Sequence, residues 1–178
     1  IGNSSTQTIG GYVNWTALSD ERVKTSVMEN VVGLDFVNAL RPVTYNYDID
    51  AVESLYGRVV PAQLRSAANE KEQVRYTGFL AQEVLEAADA VGYDFSGIDK
   101  QGLGEGVYAL RYAEFVVPLV KATQELTSIV DQQQLVINQQ QTELDTYQAS
   151  LNSLEKDLEM LRAQVNSNTA ALGISQAK

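Results

Sequence analysis

Residues 130–172 read VDQQQLVINQQQTELDTYQASLNSLEKDLEMLRAQVNSNTAAL, and the spacing inside this stretch decides the architecture. Val130, Ile137, Leu144, Leu151, Leu158, Val165 and Leu172 recur at intervals of seven. Tyr147, Leu154 and Leu161 each follow a member of that series by three residues. These two sets are the a and d positions of a heptad repeat, and a strict seven-residue period makes helices supercoil in the left-handed sense. Leu126 keeps the phase toward the N-terminus, while Gln133, Gln140 and Asn168 occupy d. Amides at d weaken an apolar seam but help to set register and oligomer number. Residues 119–172 contain neither Gly nor Pro, so no turn is available for folding the helix back on itself. The stripe is therefore expected to pair with copies of itself. Leu mixed with β-branched residues at a, with Tyr and amides at d, suits a trimer better than a leucine-zipper dimer.

Ahead of the helix the pattern changes. Residues 19–111 read as an α+β body. Val32–Leu40 has helical spacing and stops before Pro42. Val43–Tyr47 alternates and is rich in β-formers, as is Tyr76–Ala81, and both read as strands. Residues 51–74 form a charged excursion with some helix. Gln82–Ala88 reads as a helix, the five glycines of 92–106 as a loop, and Val107–Leu110 as a short strand. The long helix begins near Tyr112, with Pro118 at its first turn or at a kink. Residues 1–18 contain Ile-Gly at 1–2 and again at 9–10, with small polar and β-branched residues between, as in a turn of a repetitive β-structure. A flexible leader is the alternative. The expected division is 1–18, the end of an upstream β-fibre; 19–111, the body; and 112–178, the helix and trimerisation segment. Starting without Met and without a signal-peptide pattern, the chain reads as the C-terminal part of something longer.

Composition narrows the chemistry. The net charge of −10 argues against nucleic acid or an anionic membrane as a partner, since both need a basic face. There is no Cys and no His, so thiolate chemistry and the commonest general base are both missing. No apolar run is long enough to span a bilayer. No metal cluster, phosphate loop or paired-carboxylate pattern stands out, and no cofactor is expected. A Ser–Lys pair is one arrangement that can work without His, although serine and lysine five apart occur by chance in most proteins. In Ser19-Asp20-Glu21-Arg22-Val23-Lys24, a lysine that becomes neutral can take the serine proton. Five residues is a workable separation if the chain bends back, and Glu21 and Arg22 would then tune the charge around Lys24 in opposite senses. The plainer alternative makes Ser19 a turn cap, puts Asp20 and Glu21 in the first turn, and leaves Lys24 solvated.

Four blocks in order resemble a known family. They are Ser19-Asp20-Glu21-Arg22-Val23-Lys24; Leu40-Arg41-Pro42-Val43-Thr44-Tyr45; Gly78-Phe79-Leu80-Ala81-Gln82-Glu83-Val84; and Tyr112 leading into the long helix. Together they look like the endosialidase-type intramolecular chaperone domain, which caps phage tail fibres, tailspikes and certain bacterial surface proteins. The resemblance spans roughly residues 16–130, with Val23 where the family usually has Leu. The leader is similar to the fibre ends of bacterial tail-fiber-domain proteins. The resemblance implies a homotrimer whose C-terminal domain guides its own upstream β-fibre into register. It then implies self-cleavage at Leu18–Ser19, with Ser19 as nucleophile and Lys24 as general base. It places the protein in a phage tail appendage or at a bacterial surface. Gln82 and Glu83 would make hydrogen bonds near the active site or between subunits; otherwise Gln82 caps the following helix and Glu83 lies in its first turn. Two rivals remain: a structural cap that stays attached to its fibre, and a binding module. The latter would show an exposed aromatic patch, for which Tyr56, Tyr93 and Phe95 are the candidates.

Overall fold

The computed structural model describes residue 12 and residues 16–100 and 106–173. Most of the expected β-fibre end therefore lies outside the described residues. The chain divides into two units, Ile1–Leu126 and Thr127–Lys178.

In the first unit the elements run α1 (Leu34–Ala39), β1 (Val43–Tyr45), α2 (Ile49–Leu55), α3 (Arg65–Glu72), β2 (Tyr76–Gly78), α4 (Ala81–Ala90), β3 (Ile98–Asp99) and β4 (Ala109–Leu110). Short 3₁₀ turns at Glu21–Val23, Ala62–Leu64 and Tyr112–Phe115 join them to one another and to α5 (Val116–Ala171). This is the mixed α and β body expected from the sequence, with a long C-terminal helix. β1 and β2 pair antiparallel, with Val43 opposite Gly78 and Tyr45 opposite Tyr76. Both strands are shorter than their sequence patterns suggest. Asn46 ends β1 by turning its side-chain amide to the carbonyls of Glu72 (2.9 Å) and Val74 (2.8 Å), which ties down the return from α3.

The glycine-rich stretch 92–106 departs from expectation. It contains β3, which pairs antiparallel with β4 through Ile98 opposite Leu110. Two residues carry no detectable alternation, so pattern reading misses such a strand. Gly97, just before it, is held against the Phe95 ring, and its carbonyl accepts from the Arg111 amide at 2.8 Å.

Phe36 is fully buried at the centre of the core, with Val84, Ala87 and Ala88 of α4 and with Phe95 and Phe115. Its ring centroid lies 4.9 Å from that of Phe95 and 5.2 Å from that of Tyr93. Phe115 continues the cluster, 4.8 Å from Phe95 and 5.3 Å from Phe79. Tyr93 and Phe95 therefore do not form the surface patch that a binding module would need; only Tyr56 of those three is exposed, with the Arg58 guanidinium over its ring. Offset and edge-on ring pairs add to the gain from apolar burial. The excursion 49–72 has a smaller core of its own, Ile49, Val60 and Ala68. Asp48 caps α2 by accepting from the Ala51 amide, and Arg65 grips Asp50 with two hydrogen bonds.

The start of α5 is part of this body. Pro118 stands in its first turn, where a missing N–H costs nothing, and is buried along with Ala122. Glu125 Oε2 accepts the Leu34 amide at 2.7 Å, so a carboxylate 91 residues away satisfies and charges the α1 N-terminus. The approach requires glycine at position 33: a Cβ there would lie 2.8 Å from the Ala122 nitrogen. Gly33→Ala is accordingly expected to cost about 1–3 kcal/mol by overpacking. Thermal unfolding followed by circular dichroism should show a lowered midpoint. Glu125→Gln, which keeps an acceptor, should unfold nearer to wild type than Glu125→Ala.

Candidate functional site

Ser19 and Lys24 come together because Asp20 builds a turn between them. Asp20 is the N-cap of the 3₁₀ turn Glu21–Val23: its Oδ1 accepts from the Arg22 amide at 2.9 Å, as a favoured N-cap residue does. The Arg22 side chain then returns to the same carboxylate, Nε to Oδ1 at 2.9 Å and Nη2 to Oδ2 at 2.6 Å. The amides of Val23 and Lys24 close the turn on the carbonyls of Asp20 and Glu21. Lys24 is thereby swung back over Ser19, and its Nζ donates to Ser19 Oγ at 2.8 Å.

The cap is thus Asp20 and not Ser19, which leaves the serine hydroxyl available to the lysine. Arg22 is occupied by Asp20, so the two charges offset one another and fix the backbone. The Arg22 side-chain hydrogen bonds hold the Asp20 carboxyl below the usual aspartate range, and Asp20 in turn raises the Arg22 guanidinium. Both ends of the Ser19–Lys24 pair are exposed in the single chain, as is Leu18 before them. Two residues beyond Lys24, Ser26 has φ of +53°, a conformation uncommon outside glycine, where the chain changes direction toward α1.

Glu83 sits in the first turn of α4 and is held by Arg41, whose Nε donates to Oε2 at 3.0 Å and whose Nη2 donates to Oε1. This fork joins the segment after α1 to the α4 N-terminus, where a carboxylate is also favoured by the helix dipole. Gln82 is exposed beside it and does not cap α4; the N-cap position is Leu80, without a side-chain cap. Nearby, the Tyr112 hydroxyl accepts the Phe79 amide at 3.1 Å and packs over Gly78, where any side chain would collide with it. The Arg41, Glu83, Gly78 and Tyr112 positions of the sequence blocks thus lock the elements of the body to one another.

Residues 19–93 match a peptidase-class family model described as chaperone of endosialidase. That segment is similar to the endosialidase chaperone family. The matched segment opens on Ser19 itself and includes the Asp20 turn, the Arg41–Glu83 fork and Gly78. No curated protein and no solved structure matches the chain. Among the described residues, no helix is long and apolar enough to cross a membrane, and no group of three or more His, Cys, Asp or Glu could hold a metal.

The Asp20–Arg22 pair has a testable signature. A carboxyl whose folded pKa is depressed stabilises the turn above its unfolded value of about 3.9 and loses that contribution as pH falls through the folded value. A carbon-13 carboxyl titration by NMR should place the Asp20 midpoint below that value. Arg22→Ala should return it to the ordinary range.

Proposed function

We propose that this domain is an intramolecular chaperone that brings three chains together, sets the register of a β-fibre upstream of it, and then cuts itself free at Leu18–Ser19. In this reading residues 1–18 end the fibre, 19–111 form the chaperone body and 112–178 form the trimerisation segment. The family match supports the chaperone role. For release, the observation that carries the reading is the 2.8 Å contact between Lys24 Nζ and Ser19 Oγ, made by the first residue of the matched segment. The family match also favours a phage tail appendage or a bacterial surface fibre as the parent structure.

The chemistry is intramolecular. Ser19 Oγ attacks the Leu18 carbonyl carbon while neutral Lys24 takes the hydroxyl proton. Collapse breaks the Leu18–Ser19 C–N bond, and the lysine returns its proton to the departing Ser19 nitrogen. An ester of Leu18 on Ser19 Oγ results. Water hydrolyses that ester to the Leu18 carboxylate and the free Ser19 hydroxyl. Because nucleophile and scissile bond share a residue, no translational entropy is lost in bringing them together. The exposed lysine must first be made neutral, and burial against a neighbouring chain favours that form. Cleavage would then await assembly. Loss of the cap afterwards gives the fibre kinetic stability.

The helix supports a self-associating partner. In the single chain every large apolar a and d residue from Val130 to Leu172 is at least half exposed, from 50% at Leu158 to 73% at Leu172. A 56-residue helix with that stripe is covered most simply by copies of itself. Asp157 at g and Arg162 at e are spaced for the contact that adjacent parallel chains make, g to the following e′. A β-fibre with non-local, interchain contacts folds slowly and slips in register, whereas a coiled coil nucleates fast and holds chains at high effective concentration.

Intact mass spectrometry of the 178-residue chain should find products meeting at Leu18–Ser19, and Ser19→Ala and Lys24→Ala should stay whole. Cleavage should depend on the position of the Lys24 amine as well as on its presence. Asp20→Ala should slow it at least tenfold, on the order expected for a misplaced base. A wild-type trimer that never cleaves would instead identify a cap that stays attached to its fibre. Sedimentation equilibrium should give about three times the 19.5 kDa chain mass, and a dimer or monomer would overturn the assembly reading.

A further inference from the structure

The chain around the start of α5 has two distinct faces. Phe115, Pro118 and Ala122 are buried against the body, and Glu125 reaches the Leu34 amide. Counted back from Val130, the heptad phase puts Phe115 and Ala122 at g and Pro118 and Glu125 at c. The same count puts Val116 and Thr123 at a and Leu119 and Leu126 at d, so the seam keeps its phase to the first residue of the helix. Val116, Leu119 and Leu126 are exposed, as the downstream a and d residues are. Thr123 gives its hydroxyl hydrogen to the Leu119 carbonyl at 2.8 Å, so its polar hydrogen is satisfied within the helix.

An open groove runs along the other side of the same turns. Its helix wall is Val116 at a, Val117 at b, Val120 at e and Lys121 at f. Its second wall is Met28 and Val31, from the segment that follows Lys24. Val116, Val117, Val120 and Met28 are each more than half exposed, up to 66% at Met28. In a helix c and g lie on one flank of the a/d seam, and b and e on the other. The body therefore covers one flank of the seam and the groove opens on the opposite one. Parallel coiled-coil neighbours set g of one chain beside e′ of the next. At this level the g flank carries a whole body, so three parallel copies would turn each groove toward the body of an adjacent chain. Contact between two different patches closes into a ring when the rotation returns to the first chain, as it does for three copies. A plain coiled coil leaves b residues in water, so it gives Val117 no partner, whereas a neighbouring body would cover it.

We infer that the groove between residues 28–31 and the start of α5 receives the body of a second copy of this chain, so that the three bodies pack in a ring around the seam. The contact rests on the trimeric reading and extends it. The copies would be held through their bodies as well as their helices, on a segment that begins four residues after Lys24.

The chain has no cysteine, so a single introduced thiol reports on one place. Met28→Cys probes the segment wall of the groove and Val117→Cys its helix wall. Asn138→Cys, at an exposed b position of the downstream helix, is the reference. Each full-length variant is sedimented and then labelled with a soluble maleimide, its rate followed by intact mass. The expected result is a trimer in which Met28→Cys and Val117→Cys label about tenfold or more slowly than Asn138→Cys, as groups do that react only when a contact opens. In the background of Leu151→Asp/Leu158→Asp, which breaks the seam and should give a monomer, all three should label alike. A trimer in which either groove position labels as fast as Asn138→Cys overturns the docking and leaves the trimer standing. Slow groove labelling that persists in the monomer assigns the groove to the chain's own upstream residues and overturns the docking as well. A wild-type chain that sediments as a monomer or dimer overturns the trimer, and this contact with it.

Discussion

Ala122 passes beneath Gly33 while Glu125 accepts the Leu34 amide, and on this junction the first unit depends. It docks the opening turns of α5 onto α1, whose Phe36 is the most deeply buried ring of the core. Phe115, just before α5, completes the same aromatic cluster with Phe79 and Phe95. The helix that carries the heptads therefore begins as a core element of the body. Six residues of α1 would not hold as a helix alone, since nucleation is costly and isolated short helices are marginal. They hold because a distant carboxylate caps them and an aromatic core receives their one buried face.

The site follows a similar logic at smaller scale. Serine and lysine five apart occur in most proteins and signify little. Here Asp20 and Arg22 convert the spacing into a contact, Asp20 by capping the 3₁₀ turn and Arg22 by clamping that cap. In the string Ser-Asp-x-Arg-x-Lys, the serine and the lysine are thus brought into contact by the two residues that shape the turn. Both members of the pair are exposed in the single chain.

Part of this was open to reading in the linear chain. The seven-residue period, the absence of Gly and Pro from 119 to 172, the Pro42 stop and the alternation at Val43–Tyr45 are local properties, and local periodicity survives translation into helix and strand. The Ser19–Lys24 pair was legible through the motif it belongs to. The turn chemistry at Asp20 had a signal too, since Asp is a favoured N-cap residue, but Ser19 competed for the same role.

Tertiary structure decided the rest. Phe95 and Tyr93 sit among glycines and charges, as surface aromatics would, yet they belong to the core because Phe36 and Phe115 arrive from elements 60 and 20 residues away from Phe95 by roughly that count along the chain. β3 has two residues and exists only because β4 is beside it. Arg41 and Glu83 pair across 42 positions, and Gly33 meets Ala122 across a longer interval still. Such contacts depend on which segments the fold brings together, and no local pattern encodes that. By itself the sequence determined a long amphipathic helix and a short motif that sets a serine and a lysine five residues apart. Only the folded chain decided which residues cap, clamp and bury them, because those partners are distant in sequence and near in space.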